Sequence, residues 1–292
     1  MPVIDAHAHF EPRMLDLPDL IARMNARGID RVALIPAMVD PIPEVPARLL
    51  AVLRVLMRSS CCHPLARAIA ATTITKEGDV RVGGHEYAIY ARPDNASVAA
   101  VLAAHPDRFL GWIFLNPKAA VGLPELERWR QVPGFIGVKL HPYWHRWTID
   151  EAIPIGRRCE ELGLPVLIHL GFGRGGDWRV LADACPRLRI VFAHAGFPRY
   201  DRLWGAIRDD RRLAIDVSGP FLDERLVRDA VAAVGPSRVV YGTDAPYGFH
   251  DAGGGYDYGA IRGWVERLPL PARDVDRVLG GNVDELFDRQ KS

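Results

Sequence analysis

The sequence predicts an α/β chain folded as one (β/α)8 (TIM) barrel with a long insertion after its second strand. Three observations predict it. Eight short apolar, β-branched runs recur along the 292 residues, and most segments between them have helical apolar spacing. Alternating strands and helices imply parallel pairing, and eight such units favour a closed barrel over an open sheet. Polar residues, mostly histidines, sit at the ends of five of the runs, on the face where a barrel carries its active site.

The first run is PVIDAHAHF. Alternation along a strand puts Ile4, Ala6 and Ala8 on the helix-facing side and turns Asp5, His7 and His9 inward. The helical stretch DLIARMNARG leads to the second strand, IDRVALIPA. The third, RFLGWIFLNP, begins only after about 70 residues, Met38 to Asp107, far longer than an ordinary connection. This insertion opens on DPIPEVP, continues as helical ARLLAVLRVLMR and passes SSCCHP into an alternating stretch. Turn residues at Glu77–Asp79 and Gly83–Gly84 predict a small hairpin there. An insertion after a barrel strand rises from the active-site face. Residues 38–107 therefore read as a lid or as a dimerisation arm that would make a homodimer, within a single domain of residues 1–292.

The fourth strand, FIGVKLHP, sends Ile136, Val138 and Leu140 outward and Gly137, Lys139 and His141 inward. In the fifth, PVLIHLG, Leu167 and His169 face inward. The sixth, RIVFAHAG, sets His194 in register with Ile190 and Phe192. The seventh is RLAIDVSG. The eighth, RVVYGTDAP, ends at Asp244, with Val240 and Gly242 on its own side. Among the connecting segments, IDEAIPIGRRCEELG and DERLVRDAVAAVG end near glycine, as helices do.

Composition narrows the function. The formal charge is +1, with no block of like charge, so a nucleic-acid partner is not expected. No apolar run approaches the roughly 20 residues that span a bilayer, and the chain goes straight into PVIDAHAH without a leader pattern. The expectation is a cytoplasmic protein acting on a small molecule, with no membrane partner. Cys61, Cys62, Cys159 and Cys185 lack CxxC spacing and read as reduced thiols.

His7, His9, Lys139, His169, His194 and Asp244 thus occupy the last inward positions of five strands. A lone strand histidine is usually a satisfied core residue. Six polar groups at one end of a barrel are costly to bury without a metal or a dense hydrogen-bond network. Imidazole and carboxylate are ligands for zinc and similar divalent ions, so zinc is the expected cofactor, with manganese and iron as alternatives.

The ordered set HAH, KLHP, LIHLG, FAHAG and YGTDAP, with LGGNVDELF near the end, resembles the amidohydrolase superfamily. It is most similar to the amidohydrolase-2 family, which includes aminocarboxymuconate-semialdehyde decarboxylase. The resemblance implies two versions of the centre. In the single-metal version His7, His9, His169 and Asp244 hold one ion, and His194 is a general acid/base. In the binuclear version a carboxylated Lys139 bridges two ions; His7, His9 and Asp244 hold one, His169 and His194 the other, and Asp244 takes a proton from the bridging hydroxide. A salt bridge, or a hydrogen bond to substrate, is the alternative role for Lys139. His141, Arg174 and Arg199 are candidates for substrate binding. Retention of Lys139 beside a complete ligand set points first to a hydrolase attacking an amide, ester, lactone or thioester carbonyl. Nonoxidative decarboxylation of an aromatic or enoic acid, or hydration, is the alternative. An inactive barrel that only binds is a third reading.

Overall fold

Ten strands form among the residues described in the computed structural model, which are 1–287 apart from 44–46, 59, 76–77, 83, 120–121 and 253–254. They are β1 (Ile4–Phe10), β2 (Arg31–Pro36), β3 (Val80–Val82), β4 (His85–Tyr87), β5 (Phe109–Phe114), β6 (Phe135–Leu140), β7 (Val166–Ile168), β8 (Ile190–Phe192), β9 (Leu213–Val217) and β10 (Val239–Tyr241). Eight of them pair in parallel in the order β1-β2-β5-β6-β7-β8-β9-β10. The ring closes just past β10, where the backbone N–H groups of Thr243 and Asp244 donate to the His7 carbonyl at 3.1 and 2.7 Å. The result is the TIM barrel expected from the alternation of strands and helices.

Helices start and stop where side chains satisfy their free backbone ends. The Asp16 carboxylate accepts from Asp19 N–H at the start of the Leu17–Ala26 helix. Asp223 accepts from Leu226 N–H at the start of Glu224–Val234. The helix Ile153–Leu162 ends at Gly163, whose φ of 66° a side-chain-bearing residue adopts only at a cost.

Two apolar layers divide the core. Ile35, Trp112, Leu167, Val191, Ala214 and Val240 fill the barrel interior. Their strand neighbours, among them Leu34, Ile113, Val166, Ile190, Ile215 and Val239, pack outward against the helices. Two strands depart from the expected alternation. In β6, Ile136, read as outward, packs with the inner layer, where one step of β5 from Gly111 to Trp112 spans two of β6 from Phe135 to Gly137. The other is β1. Ile4 and Ala6, read as helix-facing, lie in the inner layer, and only Ala8 joins the outer one. The cause is an irregularity between Asp5 and Ala8, where three steps of β1 span two of β2. The Ala6 carbonyl, within this bulge, accepts from Trp112 Nε1 in the interior at 2.9 Å. Asp5 consequently leaves the inward row. Its carboxylate accepts from Thr243 N–H and Oγ1 and from His7 N–H, and burial raises it to about 7.

The insertion contains the expected helix, Ala47–Arg58, and the expected hairpin of β3 with β4. Glu77 and Gly83, assigned above to its turns, lie outside the described residues. The insertion is tied to the mouth of the barrel. Buried Glu11 holds Arg13 through two hydrogen bonds, and Arg13 in turn reaches Asp40 and Tyr90 of the insertion. Across the mouth, Arg54 donates to the Pro220 carbonyl beyond β9 at 2.6 Å. Within the same connection, the helix Asn95–Ala104 packs on the barrel, and the Asn95 side chain both donates to and accepts from Phe114 backbone. None of the four cysteines forms a disulfide. No helix among the described residues is long and apolar enough to cross a membrane.

The bulge makes Trp112 a structural donor. Trp112→Phe should lower unfolding free energy by about 1–3 kcal/mol, the cost of removing one partner of a buried hydrogen bond, with the midpoint of urea denaturation as the measurement. An unchanged midpoint would mean that the bulge does not need this bond.

Candidate metal centre

The seam between β10 and β1 brings the candidate ligands together. The bulge resets β1 so that His7 and His9 face the interior after Ala6. Lys139 comes from the end of β6, His141 follows that strand directly, and His169 follows β7. His194 reaches the site by a different route from the one alternation predicts. Ile190 and Phe192, its supposed register mates, pack outward. A left-handed turn at His194 and Ala195 (φ 55° and 54°) swings the imidazole back to the interior. Asp244 also sits left-handed, at φ 64°. Such backbones cost non-glycine residues about 1 kcal/mol or more, so surrounding contacts must hold them. His194 N–H donates to Asp216 at 2.8 Å, and Asp244 N–H donates to the His7 carbonyl. Gly219 leaves the necessary room: a Cβ there would lie 2.7 Å from His194 Nδ1 and 2.9 Å from Asp244 Oδ2.

Hydrogen bonds fix the tautomer of each histidine, because a ring nitrogen facing an oxygen that can only accept must carry the proton. His7 Nδ1 donates to Asp216 Oδ2 at 2.8 Å. His169 Nδ1 donates to the Leu170 carbonyl at 2.8 Å, and His194 Nδ1 to the Ser218 carbonyl at 3.0 Å. His9 Nδ1 lies 3.4 Å from the Pro36 carbonyl. Burial holds His7 and His194 well below the usual imidazole range and His169 at about 3, so these rings are neutral at pH 7. These three therefore keep their Nε2 lone pairs unprotonated.

The Nε2 atoms of His7 and His9 lie against a carboxylate. His7 Nε2 and His9 Nε2 each lie 3.4 Å from Asp244 Oδ1. Ligand atoms of His7, His194 and Asp244 all fall within 4.8 Å of one another. Acceptors crowded together without a proton between them repel, and a cation resolves the conflict. Imidazole nitrogens plus one carboxylate are a donor set suited to a divalent metal. Lys139 intrudes on this group: it is 1% exposed, and its Nζ donates to His7 Nε2 at 3.2 Å. Burial lowers its pKa to about 8, while Asp216 and Asp244 pull the other way.

Above the cluster opens a cavity of about 150 Å³. His9, Lys139, His141, His169, His194 and Asp244 form its polar end, and Met38, Val39, Ile42 and Leu50 of the insertion belong to its wall. His141 stacks on His169 with ring centroids 4.2 Å apart. Its protonation is the reverse of the others, because its Nδ1 accepts from Trp144 N–H at 3.1 Å. The proton is on Nε2, which has no partner among the described residues. Arg174 and Arg199 lie elsewhere. Arg174 is exposed and paired with Asp150 at 3.0 Å, Arg199 donates to the Gly173 carbonyl, and neither lines this cavity.

Three contributors were missed by sequence reasoning. Asp216, fully buried on β9, anchors His7 and His194. It shares the inward side with Ala214, so the alternation that singled out the other strand ends contained its signal. Ser218 bonds His194 through both its carbonyl and its hydroxyl. Tyr247 packs edge-on against His9.

The profile of the family described as "Amidohydrolase" matches residues 4–289. No curated protein matches the chain. Among solved structures, 2,6-dihydroxybenzoate decarboxylase from Rhizobium is 18% identical, with 99% of each chain covered and a TM-score of 0.61. 4-Oxalomesaconate hydratase from Rhodopseudomonas palustris is 16% identical, covering 98% of this chain and 96% of its own, with a TM-score of 0.62. Dihydroxybenzoic acid decarboxylase from Polaromonas sp. JS666, solved with bound manganese and 2-nitroresorcinol, is 16% identical, covering 100% and 98%, with a TM-score of 0.58. At these identities the likeness is one of fold.

The Asp216–His7 bond has a measurable consequence. Asp216→Asn should weaken divalent-metal affinity by about 10–100-fold, the usual effect of losing a carboxylate behind a histidine ligand, while the far-ultraviolet circular dichroism stays that of the wild type. Unchanged affinity in a competition titration against a chelator would remove Asp216 from the site.

Proposed function

The chain belongs to the amidohydrolase family, and on that premise we propose that it is a metal-dependent carboxy-lyase that decarboxylates an aromatic or enoic acid without oxidation. The hydrolase expectation drawn from Lys139 is corrected. Solved structures of like fold include decarboxylases of 2,6-dihydroxybenzoate and 5-carboxyvanillate and a hydratase, beside one putative 2-pyrone-4,6-dicarboxylic acid hydrolase. The observation that carries the reading is Lys139 itself. It is a buried amine bonded to a ligand imidazole and opening onto an apolar cavity, suited to receive an anionic substrate.

His7, His9, His169 and Asp244 would hold one divalent ion. Manganese is suggested by the Polaromonas enzyme, and zinc by the donor set. When bound, that ion would act as a Lewis acid toward the substrate's oxygens. Lys139 binds the anionic end of the substrate, where low dielectric strengthens the attraction. His194, tethered at Nδ1, takes up a solvent proton at Nε2 as the anionic substrate binds and delivers it to the carbon that bears the carboxylate. The bond to the carboxylate carbon then breaks, its electron pair returns to the π system, and carbon dioxide leaves. His141 Nε2–H donates to a substrate oxygen. The insertion, residues 38–107, covers the mouth as a lid that excludes water from the reacting carbon.

Two outcomes follow. His194→Ala should lower the rate of carbon dioxide release by about 10²–10⁴-fold, measured on a panel of hydroxylated benzoates, and in D2O the wild type should place deuterium at the vacated carbon. Ester or lactone hydrolysis without carbon dioxide release would contradict the reading. Metal analysis of the fully loaded protein should give a ratio near one ion per chain; a ratio near two that falls to one in Lys139→Ala would restore the bridged centre.

A further inference from the structure

The cavity wall carries information about the substrate that the ligand cluster does not. Beyond the polar end, Met38, Val39, Ile42, Leu50, Phe221 and Pro246 line the space, all apolar. No arginine, asparagine or glutamine lines it among the described residues, and its only lysine is Lys139. His141 Nε2, which carries a proton, and the Tyr247 hydroxyl are buried lining atoms with no partner among the described residues. A buried anion needs a countercharge or several donors, and an unpaired one is strongly disfavoured. Lys139, His141 and Tyr247 together can serve one carboxylate and one uncharged oxygen. Among the described residues, the one further polar side chain of the lining is His250, whose ring packs edge-on against Tyr256, and a single imidazole is less than a second buried carboxylate needs.

We infer that the substrate is a monocarboxylic acid with an apolar body, bearing at most a neutral oxygen substituent, and that di- and tricarboxylic acids are excluded. The wall that excludes them comes largely from the insertion, so Met38, Val39, Ile42 and Leu50 are specificity-determining residues. The inference rests on the carboxy-lyase reading for the polarity of the bound group, but its test needs no turnover.

Isothermal titration calorimetry of the manganese-loaded full chain with 4-ethylbenzoate and with terephthalate compares two para-substituted benzoates that differ in charge at the far end. The expected result is tighter binding of 4-ethylbenzoate by at least about tenfold, because the second carboxylate of terephthalate meets no countercharge. In Leu50→Arg the ratio should shift toward terephthalate by at least about tenfold; if that variant fails to fold, the wild-type ratio still decides. Equal or tighter binding of terephthalate, or no binding of either acid, overturns the inference. Discrimination in calorimetry without carbon dioxide release from any acid would keep this inference and remove the carboxy-lyase reading alone.

Discussion

The site depends on where four protons are kept. Each of His7, His9, His169 and His194 faces an oxygen acceptor with Nδ1 and so directs Nε2 to the interior. The acceptors are one buried carboxylate and three backbone carbonyls, whose positions are set by the strands themselves. A carbonyl at a strand end cannot rotate away, so barrel geometry is converted directly into ligand orientation. His141, one stacked ring away, has the opposite tautomer because it caps the turn that follows β6. The same residue type thus supplies lone pairs on one side of the cavity and a donor on the other.

Closure of the barrel and assembly of the centre occur at one seam. The backbone groups that join β10 to β1 belong to His7, His9, Thr243, Asp244 and Ala245, two of which are candidate ligands from the first strand and one from the last. Asp5, displaced outward by the bulge, binds Thr243 from behind. Asp216 then links His7 to the left-handed turn at His194. Strain at His194 and Asp244 is held by the same short network that orients the rings, a pattern common where backbone conformation is spent on function.

The barrel, its long insertion and the strand-end residues were legible because they rest on periodicity and on side-chain chemistry. What was not legible rests on single backbone steps. Alternation has a period of two, so one bulge in β1 moved Ile4 and Ala6 inward and Asp5 outward without changing any residue type. His194 was assigned to the site on a register that its own backbone breaks, since a left-handed turn leaves no mark in FAHAG. Asp216 was visible as an inward acid but drew no attention, because RLAIDVSG contains no histidine. Arg174 and Arg199 were chosen for charge near a strand end, and loop paths, which decide whether such residues reach a cavity, are not encoded in local pattern. The hydrolase expectation leaned on Lys139 as a bridge between ions, whereas an amine bonded to His7 also suits a cation that receives a substrate carboxylate.

The claim that the histidines are preset as ligands is tested most directly by their protonation in metal-free protein. Long-range 1H–15N correlation spectra at neutral pH distinguish the two neutral imidazole tautomers. The structure requires His7, His169 and His194 to be protonated at Nδ1 and His141 at Nε2. A proton on Nε2 of His7, His169 or His194, or on Nδ1 of His141, would contradict it.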